Sequence, residues 1–232
     1  MDETEFDKFA EEYHNLHAKN IKLTGEDPSY FYRYKVKDLL KVLYKKDMIN
    51  DLKILDFGSG IGNSIPFFKE YFPKAKLHCL DVSQKSLEIA IKSYKTQAKF
   101  IHFNGNKIPY PDNFFNVVFS SCVFHHIKCE EHSRLLKEIW RVLKPTGNLM
   151  IFEHNPLNPL TKKAVKDCPF DNNAVLIRSS KLKRSIKIAG FSEVKSYYRI
   201  FFPKVLKIFR SFEPFLTWLP FGAQYYVLVK KD

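Results

Sequence analysis

Two aspartates and a run of glycines form the chemically informative pattern of this 232-residue chain. Ile54-Leu55-Asp56-Phe57-Gly58-Ser59-Gly60-Ile61-Gly62-Asn63 starts as an apolar strand and breaks into a glycine-rich turn. Glycines there let the backbone turn sharply and come close to a ligand. A dinucleotide site needs G-x-G-x-x-G, and its third glycine would fall at Asn63. Asp56, at the strand's end, repels a pyrophosphate but attracts an ammonium group, directly or through water. No G-K-[ST] follows, so a P-loop is excluded. Asp81 closes the next apolar strand. A carboxylate there can accept both hydroxyls of a ribose and excludes a 2′-phosphate by repulsion. The ligand implied is a nucleoside with an amino-acid tail. Strand-end capping around a tight turn explains each residue alone, but poorly explains all three in this order.

At these residues the sequence resembles the class I S-adenosylmethionine-dependent methyltransferases. Leu55 to Gly62 is similar to the family's first motif, and Asp81-Val82-Ser83 to its acidic second motif. Ile108-Pro109-Tyr110-Pro111-Asp112-Asn113-Phe114-Phe115-Asn116-Val117-Val118 resembles the approach to its fourth strand. The likeness covers roughly residues 50–153. It implies that Asp56, Gly58, Ser59, Gly60 and Asn63 hold the methionine part of S-adenosylmethionine (SAM), with S-adenosylhomocysteine as product. It also implies that Asp81 holds the ribose, that Val82 packs on adenine, and that Ser120 lines the site. The sequence departs from the family where Asn104-Gly105-Asn106-Lys107 replaces a Gly-Asp pair, leaving Asn106 to meet the adenine amine. Asn116 also replaces a frequent Asp. The Glu153–Thr161 and Pro220–Tyr226 runs resemble a bacterial small-molecule branch of the type 11 kind, with some members near polysaccharide or lipid biosynthesis.

Methyl transfer from a sulfonium is a direct displacement, so the protein must align the reactants and exclude water. A base is needed where the acceptor holds its proton tightly, as an alcohol or phenol does. Histidine titrates near neutrality and suits that task. His154, after the fifth strand, is the first candidate, with Glu153 to orient it or act itself. His126, beside His125 after the fourth strand, is the next. Turn-capping or packing roles are the bland reading for each. His125-His126 with Cys122 and Cys129 lacks the repeated tight spacing of a zinc site, and no metal is expected. Asn/Asp-Pro-Pro-aromatic, the mark of enzymes that methylate exocyclic amines, is absent: Ser120-Ser121-Cys122-Val123-Phe124-His125-His126 stands in its place.

Strands and helices must alternate to bring these residues to one edge. The apolar patterning predicts strands at KILDF, KLHCLDVS, AKFIHF, FNVVFSSCVF and NLMIFEH, with helices between them. Lys144-Pro145-Thr146-Gly147 reads as a helix stop, and Gly190 as a C-cap for a helix around Ser180–Ala189. FSEVKSYYRIFF and QYYVLVKK close the chain without a full crossover helix. The fold class expected is α/β: a Rossmann-like doubly wound sheet, mostly parallel, with an antiparallel C-terminal edge strand and an N-terminal helical extension. One domain is expected over residues 1–232: a helical cap (1–50), a cofactor-binding core (51–153) and a substrate-side half (154–232) with an insertion at 201–221. In the cap, Phe6, Phe9, Ala10 and Tyr13 recur at helical spacing, and Pro28 opens a helix to about Tyr44. Tyr13, Tyr30, Arg33 and Tyr34 are candidates to touch cofactor or acceptor, with Arg33 placed to meet the cofactor carboxylate.

Composition narrows the class further. Hydrophobic residues at 45% and charged residues at 27% exclude a disordered chain, a collagen-like fibre and a coiled coil. The net charge is +13, carried mostly by lysine, whereas bidentate phosphate recognition favours arginine. Nucleic acid is therefore not the expected partner. Residues 201–221 hold seven aromatics among three cations. Packing on the sheet edge with snorkelling lysines is the preferred reading of that run, and a greasy lid or peripheral membrane contact is the alternative. Four cysteines without C-x-x-C spacing, and an acidic start without an apolar h-region, point to a cytoplasmic protein. The expected activity is SAM-dependent transfer to a small-molecule or lipid- or saccharide-linked acceptor, at oxygen, by in-line displacement. The alternatives are an RNA methyltransferase and a non-catalytic cofactor-binding scaffold.

Overall fold

The computed structural model describes residues 25–44 and 51–232. Phe6, Phe9, Ala10 and Tyr13 lie outside the described residues. Helix α1 (Pro28–Tyr44) opens at its proline as the sequence predicts. The chain then alternates: β1 (Lys53–Phe57), α2 (Ile65–Tyr71), β2 (Lys76–Asp81), α3 (Gln84–Tyr94), β3 (Lys99–His102), β4 (Phe115–Ser121), α4 (Cys129–Val142) and β5 (Leu143–His154). The C-terminal part adds α5 (Pro159–Lys166), α6 (Ser179–Ile188), β6 (Val194–Arg199), α7 (Glu213–Leu216) and β7 (Gln224–Lys230).

The seven strands form one sheet in the order β3-β2-β1-β4-β5-β7-β6. β1 to β5 are parallel, and β7 runs antiparallel between β5 and β6. The order reverses between β1 and β4, and such a switch point opens a crevice at the strands' carboxyl ends. One apolar cluster, around Leu55, Val118, Leu136 and Ile151, covers one face of the sheet. A second, around Leu39, Ile54, Phe68, Phe119 and Phe152, lies under α1 and α2 on the other. Burial on both faces explains why the central strands read as unbroken apolar runs.

Two expected boundaries shift for local reasons. β4 stops at Ser121, because Cys122 takes a left-handed backbone (φ 59°) and turns the chain into a short 3-10 helix at Phe124–His126. Lys144–Gly147 does not separate helix from strand. α4 passes straight into β5, with the kink absorbed at Thr146 (φ 63°).

Helix α1 is tied to the far sheet edge by a buried ion pair. Arg199 Nε donates to Asp38 Oδ2 at 2.6 Å, and its Nη2 to Oδ1 at 3.2 Å. Both side chains are largely buried. Removing one partner of such a pair strands the other charge. Asp38→Asn is expected to lower the unfolding free energy by about 3 kcal/mol. Urea unfolding measures it, and a loss below about 1 kcal/mol would show that the pair does not anchor α1.

Candidate active site at the carboxyl edge of the sheet

The glycine turn follows β1 and is stitched to β2. Gly58 N and Ser59 N both donate to Leu80 O, at 2.8 and 3.1 Å. Gly58 (φ 76°) cannot be replaced cheaply, since a Cβ there would meet Val123 Cγ2 at 2.4 Å. Gly60 differs: a Cβ there would meet nothing within 4 Å. That space is open to a ligand approaching the backbone.

Asp81 lies across this turn. Its Oδ2 accepts from Gly60 N at 2.7 Å and its Oδ1 from Ser83 N at 2.9 Å. Each oxygen keeps a second lone pair for a ligand hydroxyl. Burial pushes its carboxyl above the usual range, against the pull of those backbone donors. Asp56 is fully enclosed at the end of β1, and its Oδ2 has no hydrogen-bond partner. Burial, with Asp81's charge added, pushes it to about 7, and Lys35 opposes the rise. Ser120, beside Phe57 on β4, is also buried, with an unpartnered Oγ. Buried polar atoms are normally paired, so these two are free to meet a ligand's hydrogen-bonding groups.

The other expected cofactor residues are distributed around this centre. Asn63 Nδ2 donates to Tyr32 OH at 3.2 Å, which joins the turn to α1. Val82 is buried within the core cluster. Asn106 is exposed after β3, and its Oδ1 and carbonyl accept from Arg134 Nη1 at 3.2 and 3.1 Å. Arg33 pairs with Glu70 at 3.2 Å and lies over the Phe67 ring. The cation that α1 brings to the strand ends is instead Lys35, which is buried. Its Nζ donates to Ser121 Oγ at 2.8 Å and to Cys122 Sγ at 3.2 Å. Burial alone would push the Cys122 thiol up, but Lys35 and His154 outweigh it and hold it at about 6. Sequence reasoning missed Lys35 and weighed Cys122 only as a metal ligand. The signal available for Lys35 was a cation on the apolar face of α1, in line with Phe31, Asp38 and Leu39.

A polar cluster adjoins the end of β5. His125 Nδ1 lies 2.5 Å from Glu153 Oε2, and Glu153 Oε1 accepts from Phe124 N at 2.8 Å. Both residues are buried. Asp171, which the sequence reading missed, places Oδ1 3.4 Å from His126 Nε2 and 3.7 Å from His125 Nε2. Burial opposes charge on all of these groups. Their mutual attraction wins at three, pushing His125 to about 10 and holding Glu153 and Asp171 below the usual carboxylate range. Burial and the charge on His125 lower His126. The His154 ring lies 5.2 Å from that of His125. His154 Nδ1 is 3.4 Å from Gln224 Nε2, and Gln224 Oε1 accepts from Tyr34 OH. The candidate catalytic residues His154, Glu153 and His126 therefore converge, although β4, β5 and the 169–171 turn are distant in sequence.

Comparison with known proteins agrees with this geometry. The "Methyltransferase domain" family matches residues 55–151, and the "Anamorsin, N-terminal" family matches the overlapping residues 104–201. The demethylmenaquinone methyltransferase of Thermotoga maritima is 32% identical over 153 residues, 66% of this chain and 61% of that protein. The phosphoethanolamine N-methyltransferase of Plasmodium falciparum is 28% identical over 117 residues, 49% of this chain and 43% of its own. The chain thus spans about half the length of these curated relatives. A solved SAM-dependent methyltransferase of Thermotoga maritima superposes with a TM-score of 0.68 at 20% identity, over 99% of both chains. Residues 55–151 therefore match a methyltransferase domain, and the whole chain shares the fold of a solved SAM-dependent methyltransferase.

Proposed function

We propose that this protein transfers the methyl group of SAM to a hydroxyl of a small, lipid-associated acceptor. The observation that carries the cofactor half is the pair of orphaned buried atoms, Asp56 Oδ2 and Ser120 Oγ, beside Asp81 and the open approach at Gly60. In this reading Asp56 and the Gly58–Gly60 turn hold the methionine ammonium group, Asp81 the ribose and Val82 the adenine. Asn63 fixes the turn against α1. When bound, the cofactor supplies an electrophilic methyl group on a sulfonium. The residues around it supply alignment and dryness, which together are worth up to about 7–11 kcal/mol of barrier. His154 accepts the acceptor's proton, with Gln224 and Tyr34 fixing its ring, and Glu153 acts through His125.

The acceptor class is supported by the insertion. It is held by polar contacts that point inward: Glu213 Oε1 accepts from Phe201 N and Phe202 N, and Arg210 pairs with Glu26 at 2.8 Å. Its apolar side chains point outward instead. Ile208, Phe215 and Trp218 are 77%, 75% and 72% exposed, with Phe212 and Phe221 beside them. Edge packing, the preferred sequence reading, describes the backbone, where Tyr198 N of β6 donates to Thr217 O at 2.7 Å, but not these side chains. Among the described residues no helix is long and apolar enough to cross a membrane. A surface-lying contact fits the exposed aromatics and the exposed Lys204 and Lys207.

Vesicles test the insertion. Trp218 fluorescence is expected to shift blue with anionic vesicles, and Phe212→Ser with Phe215→Ser to abolish co-sedimentation. An unshifted spectrum would remove the membrane contact. Labelled SAM offered with a lipid extract tests the reaction. Alkali-stable label on an oxygen is expected. Label on carbon, or on nitrogen as named for the Plasmodium falciparum relative, would overturn the hydroxyl assignment. Binding without transfer to any fraction would favour a scaffold, and transfer only to RNA would favour an RNA enzyme.

A further inference from the structure

We infer that His125, His126 and Asp171 form a binding site for a first-row divalent metal ion, with Glu153 as the outer carboxylate that orients His125. One ligand atom from each of the three residues lies within 4.8 Å of the other two. Metal–ligand bonds of ~2.0–2.2 Å put neighbouring ligand atoms roughly 3–4 Å apart. The separations of 3.4 and 3.7 Å to Asp171 meet that requirement once the ion displaces the protons that the histidines share with Asp171.

Three further features make this a built site. First, the ligands come from two rigid turns, the 3-10 helices at Phe124–His126 and Pro169–Asp171. Val175 N donates to His125 O at 2.8 Å and laces those segments together. Second, the side chains of His125, His126 and Asp171 are only 1%, 6% and 13% exposed, so the cluster is shielded from water. Third, the Glu153 contact occupies Nδ1 of His125 and leaves Nε2 directed into the cluster, the carboxylate–histidine arrangement that second shells supply. Two histidines and one carboxylate suit zinc, iron(II) or cobalt(II) better than magnesium or calcium.

The sequence expectation of no metal rested on cysteines at the wrong spacing. Neither belongs to this cluster: Cys122 faces Lys35 and Cys129 faces Lys181. The carboxylate arrives from the C-terminal half, which spacing cannot reveal. The His154 ring lies 5.2 Å from that of His125, and three protein ligands leave a coordination position open. If the methyl-transfer reading holds, an acceptor oxygen could occupy it and lose its proton more readily. Metal binding itself does not depend on that reading.

The test is titration of the metal-free full chain with Co²⁺, read by its visible absorption, followed by displacement with Zn²⁺. A saturable one-equivalent spectrum is expected, lost in Asp171→Asn and in His126→Gln and weakened 10–100-fold in Glu153→Gln. Absence of saturable binding in the wild type, or equal binding in Asp171→Asn and His126→Gln, would overturn the site. Should those variants unfold, histidine side-chain ¹⁵N spectra of the wild type with Zn²⁺ decide. Shifts of His125 and His126 support the site, and shifts confined to other histidines refute it. SAM affinity measured on the same sample separates failure here from failure of the cofactor reading.

Discussion

Asp81→Ala is expected to weaken SAM binding by at least about a hundredfold. The carboxylate offers two charge-assisted hydrogen bonds to a ribose, each worth about 1.5–3 kcal/mol. Their loss together exceeds the ~2.8 kcal/mol that a hundredfold represents. Part of the effect arises from the loop itself, because Asp81 also holds Gly60 N and Ser83 N. Asp81→Asn separates the two contributions: it keeps one acceptor oxygen for the turn and loses the charge. Calorimetric titration with SAM measures both variants, and thermal melting of the ligand-free proteins reads the loop's share. Affinity within about threefold of wild type in Asp81→Ala, or 0.7 kcal/mol at most, would remove the residue from the cofactor site.

The second large effect concerns pH. Asp56 holds its proton up to about 7, because burial and Asp81's charge both oppose ionisation. A cationic ligand group reverses that preference and needs the carboxylate. Below pH 7 each binding event must therefore release a proton from Asp56. SAM affinity is expected to fall as pH drops below about 7, approaching tenfold per unit, and to level off above it. Asp56→Asn should bind weakly and show no such slope. The same shift acts on folding with a definite sign. The unfolded chain ionises Asp56 near the ordinary carboxylate value, while the folded chain keeps the proton to about 7. The group's contribution to stability is fully present at acid pH and is lost as pH rises through that window. The cofactor's stabilising effect on melting should therefore be largest above pH 7. A wild-type affinity flat between about pH 6 and 8 would contradict this.

The parts of the site legible in the sequence are those that a short segment specifies alone. β1, the glycine turn and Asp81 are local: strand patterning, backbone demands and a strand-end carboxylate lie within one β-α-β unit. Helix α1 was legible from Pro28 and its apolar stripe. Lys35 and Asp38 were not, since a charge on a helix reads as solvated until its distant partners, Ser121 and Arg199, are known. Asp171 meets His126 only because the chain returns after β5, and nothing local marks that return. The insertion was legible as a run of aromatics and cations, but which face turns outward depends on Glu213, which folds the insertion onto its own start, and on Arg210, whose partner Glu26 is distant in sequence.

The cofactor readings depend on an adenosyl amino acid seated at the crest between β1 and β2. Calorimetric titration of the full chain with S-adenosylhomocysteine, beside NAD as competitor, tests it most directly. The result expected is saturable one-to-one heat with the adenosyl compound, abolished in Asp81→Ala, and none with NAD. Heat with NAD and none with S-adenosylhomocysteine would contradict the account.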